Sequence, residues 1–197
     1  MARKNPNAPK KGQKIKVEPI REIEDINRIK CMLRDKPRDL ALFTIGINTS
    51  LRTSDLLKLK VHHVMAAEPG GRIEIQEETT GKSKTVILNR SCVDIVRDLL
   101  AREQYRPDDY LFKSRKGSVL LVPTVHNMVK GWCAAIKLKG NYGSHTLRKT
   151  WGYHQRVTFR VDIPTLMACL NHGSRKQTLE YLCIQPEQRK DVYQNEL

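Results

Sequence analysis

The sequence predicts a mainly α domain carrying one small antiparallel β-sheet, an α+β chain, on three observations. From Ile20 onward apolar residues recur at three- and four-residue steps over most of the chain, the repeat of helices with one face on a core. Between Gly70-Gly71 and Asn89 the period drops to two, as in a pair of strands. The length, 197 residues without an internal repeat, suits one sizeable core rather than two equal halves.

Residues 1–19 hold Arg3, Lys4, Lys10, Lys11, Lys14 and Lys16 without apolar periodicity. They are expected to form a basic flexible arm or linker, lying along phosphates or simply solvated, ahead of a domain over residues 20–197. Ile23, Ile26, Ile29 and Leu33 then share a helix face, with Glu22, Glu24 and Asp25 at the end where acids suit the helix dipole, and Pro37 stops the helix. A nearly wholly apolar helix follows from Arg38 to Ile47. Asn48-Thr49-Ser50 break it, and a short helix begins near Thr53, which places Arg52 at a helix start.

The alternation in Arg72-Ile73-Glu74-Ile75-Gln76 and the β-branched run Thr85-Val86-Ile87-Leu88 predict a hairpin turning around Thr80-Gly81. Asn89 is placed to cap the next helix, which buries Val93, Val96, Leu99 and Leu100. After Pro123 a helix puts Val125, Met128, Val129, Trp132 and Ile136 on one face, a pattern that reads as core. Three more helices are expected around His145 to Val157, Ile163 to Leu170 and Ser174 to Leu182, with a polar tail from Gln185.

Charge narrows the function. Lys and Arg number 36 against 21 Asp and Glu, a net charge of +15, which favours a polyanionic partner through counterion release. Nucleic acid is the first candidate. An anionic membrane is disfavoured because no apolar run approaches the roughly 20 residues of a spanning helix and the polar N-terminus has no signal-peptide core. The expected setting is cytoplasmic, on the nucleoid. The five cysteines are odd in number and scattered without a C-x-x-C pair, so they read as reduced core thiols. The one close histidine pair, His62-His63, is adjacent in sequence, so its rings should point apart and bind no metal.

His145-Thr146-Leu147-Arg148 sets an imidazole and a guanidinium three residues apart, on one face of a helix, where they can bind one phosphate together. Alone, so short a pattern is weak. Its company is more specific: Thr49-Ser50-Leu51-Arg52-Thr53-Ser54-Asp55 upstream, then Leu170-Asn171-His172-Gly173-Ser174, then Tyr181 nine residues after His172. In this order the set resembles the tyrosine site-specific recombinase (phage integrase) family, over roughly Ile20 to the C-terminus.

The resemblance implies that Arg52, His145, Arg148, His172 and Tyr181 are catalytic, that the substrate is double-stranded DNA, and that no cofactor or metal is needed. It also implies assembly on DNA, as a tetramer in synapsis. Three positions depart from the family pattern. Ser50 and Asn171 stand where glycine is usual, and Thr79 falls where the hairpin lysine is expected. Threonine supplies no ammonium to protonate a leaving oxygen, so either Lys82 or Lys84 takes that role or the step is impaired. Lys82, nearer the turn, is favoured. The expected activity is cleavage and rejoining of DNA strands through a 3′-phosphotyrosyl bond on Tyr181. The alternatives are a catalytically impaired DNA-binding regulator of the same fold and a relaxing topoisomerase of the same chemistry. Tyr193 is the reserve nucleophile.

Overall fold

The computed structural model of the chain describes residues 16–76, 81, 83–114 and 116–184. Among them the elements run α1 (Ile23–Met32), α2 (Pro37–Asn48), α3 (Thr53–Leu57), α4 (Val61–Val64), β1 (Arg72–Gln76), β2 (Ser83–Ile87), α5 (Arg90–Arg102), α6 (Val122–Ala135), α7 (Ser144–Val157), α8 (Ile163–Leu170) and α9 (Arg175–Tyr181). The mainly α, α+β class expected from the periodicity is the one observed.

Helix α2 is the hub. Its residues Ala41 to Gly46 are all buried, as a helix can be only when neighbours surround it. Helix α5 packs along one side of it and α7 along another. Gly46 permits the second approach, since a Cβ there would stand 2.7 Å from Leu147 Cδ1. Phe43 meets Trp132 edge to face at 5.9 Å, which brings α6 onto the same core. Helix α5 starts where Asn89 Oδ1 accepts the Cys92 N–H at 3.0 Å, the cap read from sequence. It buries Val93, Val96 and Leu99, whereas Leu100 is only partly covered.

The two strands are antiparallel, in the register Arg72↔Ile87, Ile73↔Val86, Glu74↔Thr85, Ile75↔Lys84 and Gln76↔Ser83. Ile73, Ile75 and Val86 are buried and join the core. Lys84 lies two residues from Val86 and so shares its inward face. Thr80 of the expected turn, Thr79 at the expected lysine position, and Lys82 lie outside the described residues.

Two features escaped the sequence reading. Helix α4 is a single turn, too short to show a period. Its histidines do not diverge: the His62 and His63 rings touch in a T at 4.2 Å, because both fold back onto main chain. His62 Nδ1 meets the Pro107 carbonyl at 3.1 Å, and His63 Nδ1 accepts the Lys60 N–H at 3.0 Å. The second feature is the chain's entry. Glu18 N–H donates to the Asn141 carbonyl at 2.7 Å, and Ile20, fully buried, is tied to α7 by Thr150 Oγ1 at 2.9 Å and His154 Nε2 at 3.0 Å. Residues 16–20 thus run against α7.

Beyond α7 the chain builds a second, smaller cluster from Ile163, Leu166, Leu170 and Leu182. Helix α8 starts where the Asp162 carboxylate accepts the Thr165 N–H at 2.8 Å, with Pro164 in its first turn. It ends on Asn171, held at φ 55° and ψ 51°. Asparagine tolerates this left-handed cap almost as well as glycine, which makes Asn171 a benign replacement. At Gly152 a Cβ would stand 2.5 Å from Leu182 Cδ2, so α7 and the turn after Tyr181 touch backbone to side chain.

All five cysteines are free. Cys92 and Cys133 are buried, with thiol pKa values pushed up to about 12 mainly by burial. Cys31 is exposed, which corrects the reading of all five as core thiols. Among the described residues no helix is long and apolar enough to cross a membrane.

Candidate active site

The residues singled out by sequence come from three separate stretches, and short-range bonds bring them to one cleft. Arg52 is the N-cap of α3, and its guanidinium lies 3.9 Å from the buried Asp55 carboxylate one turn on. The next residue, Thr53, donates through Oγ1 to the Ser144 carbonyl at 3.0 Å, fastening the start of α3 to the start of α7. There Thr146 Oγ1 accepts the Gly143 N–H at 3.0 Å, capping the first turn that carries His145. Arg148, one turn further, is only 4% exposed and donates from Nη2 to the Leu170 carbonyl at 2.8 Å.

Lys84 completes the join. Its Nζ donates to the Cys169 carbonyl at 3.2 Å and lies 3.4 Å from the Ser50 carbonyl. One ammonium therefore spans the stretch that carries Arg52 and the end of α8. Lys84 and Arg148 both sit on the last carbonyls of α8, where cations are favoured. His172 follows the αL cap, its Nδ1 3.1 Å from Thr178 Oγ1 on α9. At the end of α9 the Tyr181 ring meets the His172 ring edge to face at 5.0 Å.

Electrostatics report the same convergence. Partial withdrawal from water lowers the pKa of both His145 and His172, and the charges of Arg148 and Arg52 lower them further. Lys149 and His126 add to the effect on His145. Burial raises the Tyr181 phenol from its ordinary value, while Arg148 and Arg52 pull it back down. Two guanidiniums thus act on both imidazoles and the phenol. Neutral imidazoles beside a protonated phenol form an acceptor and donor set, and the arginines supply positive charge for an oxyanion.

Residues 20–188 match the phage integrase family. The chain belongs to that family. It is 33% identical over 181 residues to the probable integrase/recombinase YoeC of Bacillus subtilis (strain 168), covering 90% of this chain and 95% of that one. Its fold is similar to that of the XerH site-specific recombinase bound to palindromic difH substrate in a post-cleavage complex. There the TM-score is 0.72 and the identity 21%, over 92% of this chain and 53% of the XerH chain, so this chain spans about half of that protein. It is also similar to the catalytic domain of bacteriophage HP1 integrase, with a TM-score of 0.60 and 17% identity, covering 91% of this chain and 95% of that one.

Of the expected integrase residues, Arg52, His145, Arg148, His172 and Tyr181 come together, while Lys82 lies outside the described residues. The sequence reading gave Lys84 second place; its Nζ is among the site's backbone carbonyls. It missed two neighbours. His126, on α6, packs against Gly143, where a Cβ would stand 2.4 Å from the imidazole. Lys149, next to Arg148, is 5% exposed, a depth that nothing in the sequence announces. Among the described residues no group of three or more His, Cys, Asp and Glu side chains could hold a metal ion.

Proposed function

We propose that this integrase-family chain is a site-specific DNA recombinase that cleaves and rejoins duplex strands through a 3′-phosphotyrosyl bond on Tyr181. The observation that carries the proposal is the shared reach of Arg52 and Arg148 over Tyr181, His145 and His172. Guanidiniums stay charged at physiological pH, and their forked donors suit two phosphate oxygens at once. The net charge of +15 favours a nucleic-acid partner, and a structural relative was captured with its substrate after cleavage.

In the forward step the Tyr181 oxygen attacks phosphorus, the bond to the 5′ oxygen breaks, and the phenol proton passes to His172 or His145. The leaving oxygen takes a proton from a hairpin lysine. Lys84 is assigned that role ahead of Lys82, because its ammonium already bridges the Arg52 stretch and the end of α8. A 5′ hydroxyl from a partner strand reverses the sequence. The phosphotyrosyl bond conserves the energy of the broken phosphodiester, so the chemistry asks for no ATP. Exchange between two duplexes calls for several protomers assembled on DNA.

The test uses a duplex selected with the protein itself from a randomised library, nicked beside the scissile phosphate so that cleavage is trapped. Wild type should give a covalent adduct on a denaturing gel and Tyr181→Phe none. Tight binding without any adduct would instead support the impaired-regulator reading raised by Thr79. A substrate with sulfur in place of the 5′ oxygen needs no acid. It should restore cleavage to Lys84→Ala if Lys84 is the proton donor, and equal wild-type rates in Lys84→Ala and Lys82→Ala on the oxygen substrate would refute a hairpin acid.

A further inference from the structure

A lysine is costly to bury, yet Lys149 is 5% exposed on α7, one residue past Arg148 and on the side facing Tyr181 and Cys183. Burial lowers its pKa, with the Cys183 thiol acting in the opposite direction. Its Nζ donates to the Val17 carbonyl at 2.8 Å and to Cys183 Sγ at 3.6 Å, and it lies 4.9 Å from the centre of the Tyr181 ring. Cys183 in turn reaches the Tyr181 carbonyl at 3.8 Å and the Val17 carbonyl at 3.9 Å. One ammonium therefore touches both the face of the nucleophile's ring and the turn that follows it, and is itself anchored to the entering chain.

We propose that Lys149 is a positioning residue for the nucleophile, holding the Tyr181 ring and the Cys183 turn against the Val17 carbonyl so that the phenol is set for attack. This rests on Tyr181 being the nucleophile. A purely structural role, pinning residues 17–20 to α7, is already filled by Thr150 and His154 through Ile20. The contact with the Tyr181 ring is what Lys149 adds. A cation on a ring face is attracted by the ring's quadrupole, most strongly where water is excluded. Attack requires the nucleophile within a fraction of an ångström of its productive place, so loss of such a contact reads out in the chemical step rather than in DNA binding.

The experiment compares single-turnover adduct formation by wild type, Lys149→Met, Lys149→Arg and Thr150→Val on the selected nicked duplex. Each is measured with the natural 5′ oxygen and with sulfur in its place, alongside DNA affinity and thermal melting. Lys149→Met should be slower by about 10-fold to 100-fold on both substrates at unchanged affinity. Lys149→Arg, which keeps the charge, should recover most of the rate. Thr150→Val should melt earlier but cleave at the wild-type rate. Should Lys149→Met not fold, Lys149→Gln takes its place, keeping a donor to Val17 without the charge. The proposal is overturned by a wild-type rate in the neutral variant, by recovery on the sulfur substrate, which would make Lys149 a proton donor, or by an equal loss in Thr150→Val. If wild type itself forms no adduct that depends on Tyr181, it is the recombinase reading that falls.

Discussion

Arg52, His145 and Arg148 stand on α3 and α7, which pack into the large core through Leu56, Leu57 and Leu147, whereas His172 and Tyr181 stand over the small cluster of Ile163, Leu166, Leu170 and Leu182. The first region is crossed by α2 and sealed by long-range packing. The second is held by its own few apolar contacts, by Gly152 meeting Leu182, and by the cations of Arg148, Lys84 and Lys149. Small clusters open at lower free energy than the global core. On the roles proposed above, the phosphate grip stands on the larger core and the nucleophile on the smaller cluster. Arg148, which the proposal sets on the phosphate, is also one of the cations that tie the two parts together.

The largest expected effect breaks the grip itself. Arg52→Lys keeps the charge but loses the fork, and adduct formation should fall by about 100-fold or more with little change in melting. Arg148→Lys should lose at least as much and also loosen α8, because its Nη2 holds the Leu170 carbonyl. Single-turnover cleavage and hydrogen exchange of α8 measure the two consequences separately. If both variants cleave within a few-fold of wild type, the guanidiniums do not hold the phosphate.

Cavities sharpen the contrast. Phe43→Ala in the large core should cost about 3–5 kcal/mol of global stability, yet leave the activity of the folded fraction near wild type. Leu170→Ala removes three side-chain carbons from the small cluster, half as many as Phe43→Ala takes from the large core. It should lower adduct formation about 10-fold, with exchange protection lost first over α8 and α9 and little change in global unfolding. Urea titration paired with exchange tests the difference, and parallel losses in both measurements for both variants would make the molecule one cooperative unit.

The smallest effect concerns pH. His145 and His172 have lowered pKa values in the folded protein, so the unfolded chain binds their protons more readily. Their contribution to stability is complete above the unfolded value of about 6.5 and shrinks as pH falls through it toward the folded values. The urea midpoint should therefore drop between about pH 7 and 5.5 by more in wild type than in a His145→Gln, His172→Gln double variant. Equal drops would place the pH dependence elsewhere.

Much of this layout was legible in the sequence because its signals are local. β1 falls where the alternation sets it, α8 spans the expected Ile163 to Leu170, and Asn89 caps α5 as its position implies. The order of Arg52, the His145 and Arg148 pair, His172 and Tyr181 pointed to the phage integrase family, to which the chain belongs. What could not be read depends on long-range partners. Nearness to the turn favours Lys82 in the sequence, whereas the Ser50 and Cys169 carbonyls around the Lys84 ammonium favour Lys84. Lys149 looks like one more basic residue until Val17, Tyr181 and Cys183 close around it. Residues 16–19 read as arm by composition, and only the bonds from α7 and Asn141 show that this stretch runs against α7.

The most direct measurement is to isolate the covalent protein–DNA adduct, digest both components, and map by mass spectrometry the residue that carries the nucleotide. The nucleotide should be attached through a 3′-phosphate to the peptide containing Tyr181, and no such peptide should appear from Tyr181→Phe. Attachment at any other residue, Tyr193 included, or an adduct that survives in Tyr181→Phe, would contradict the site described here.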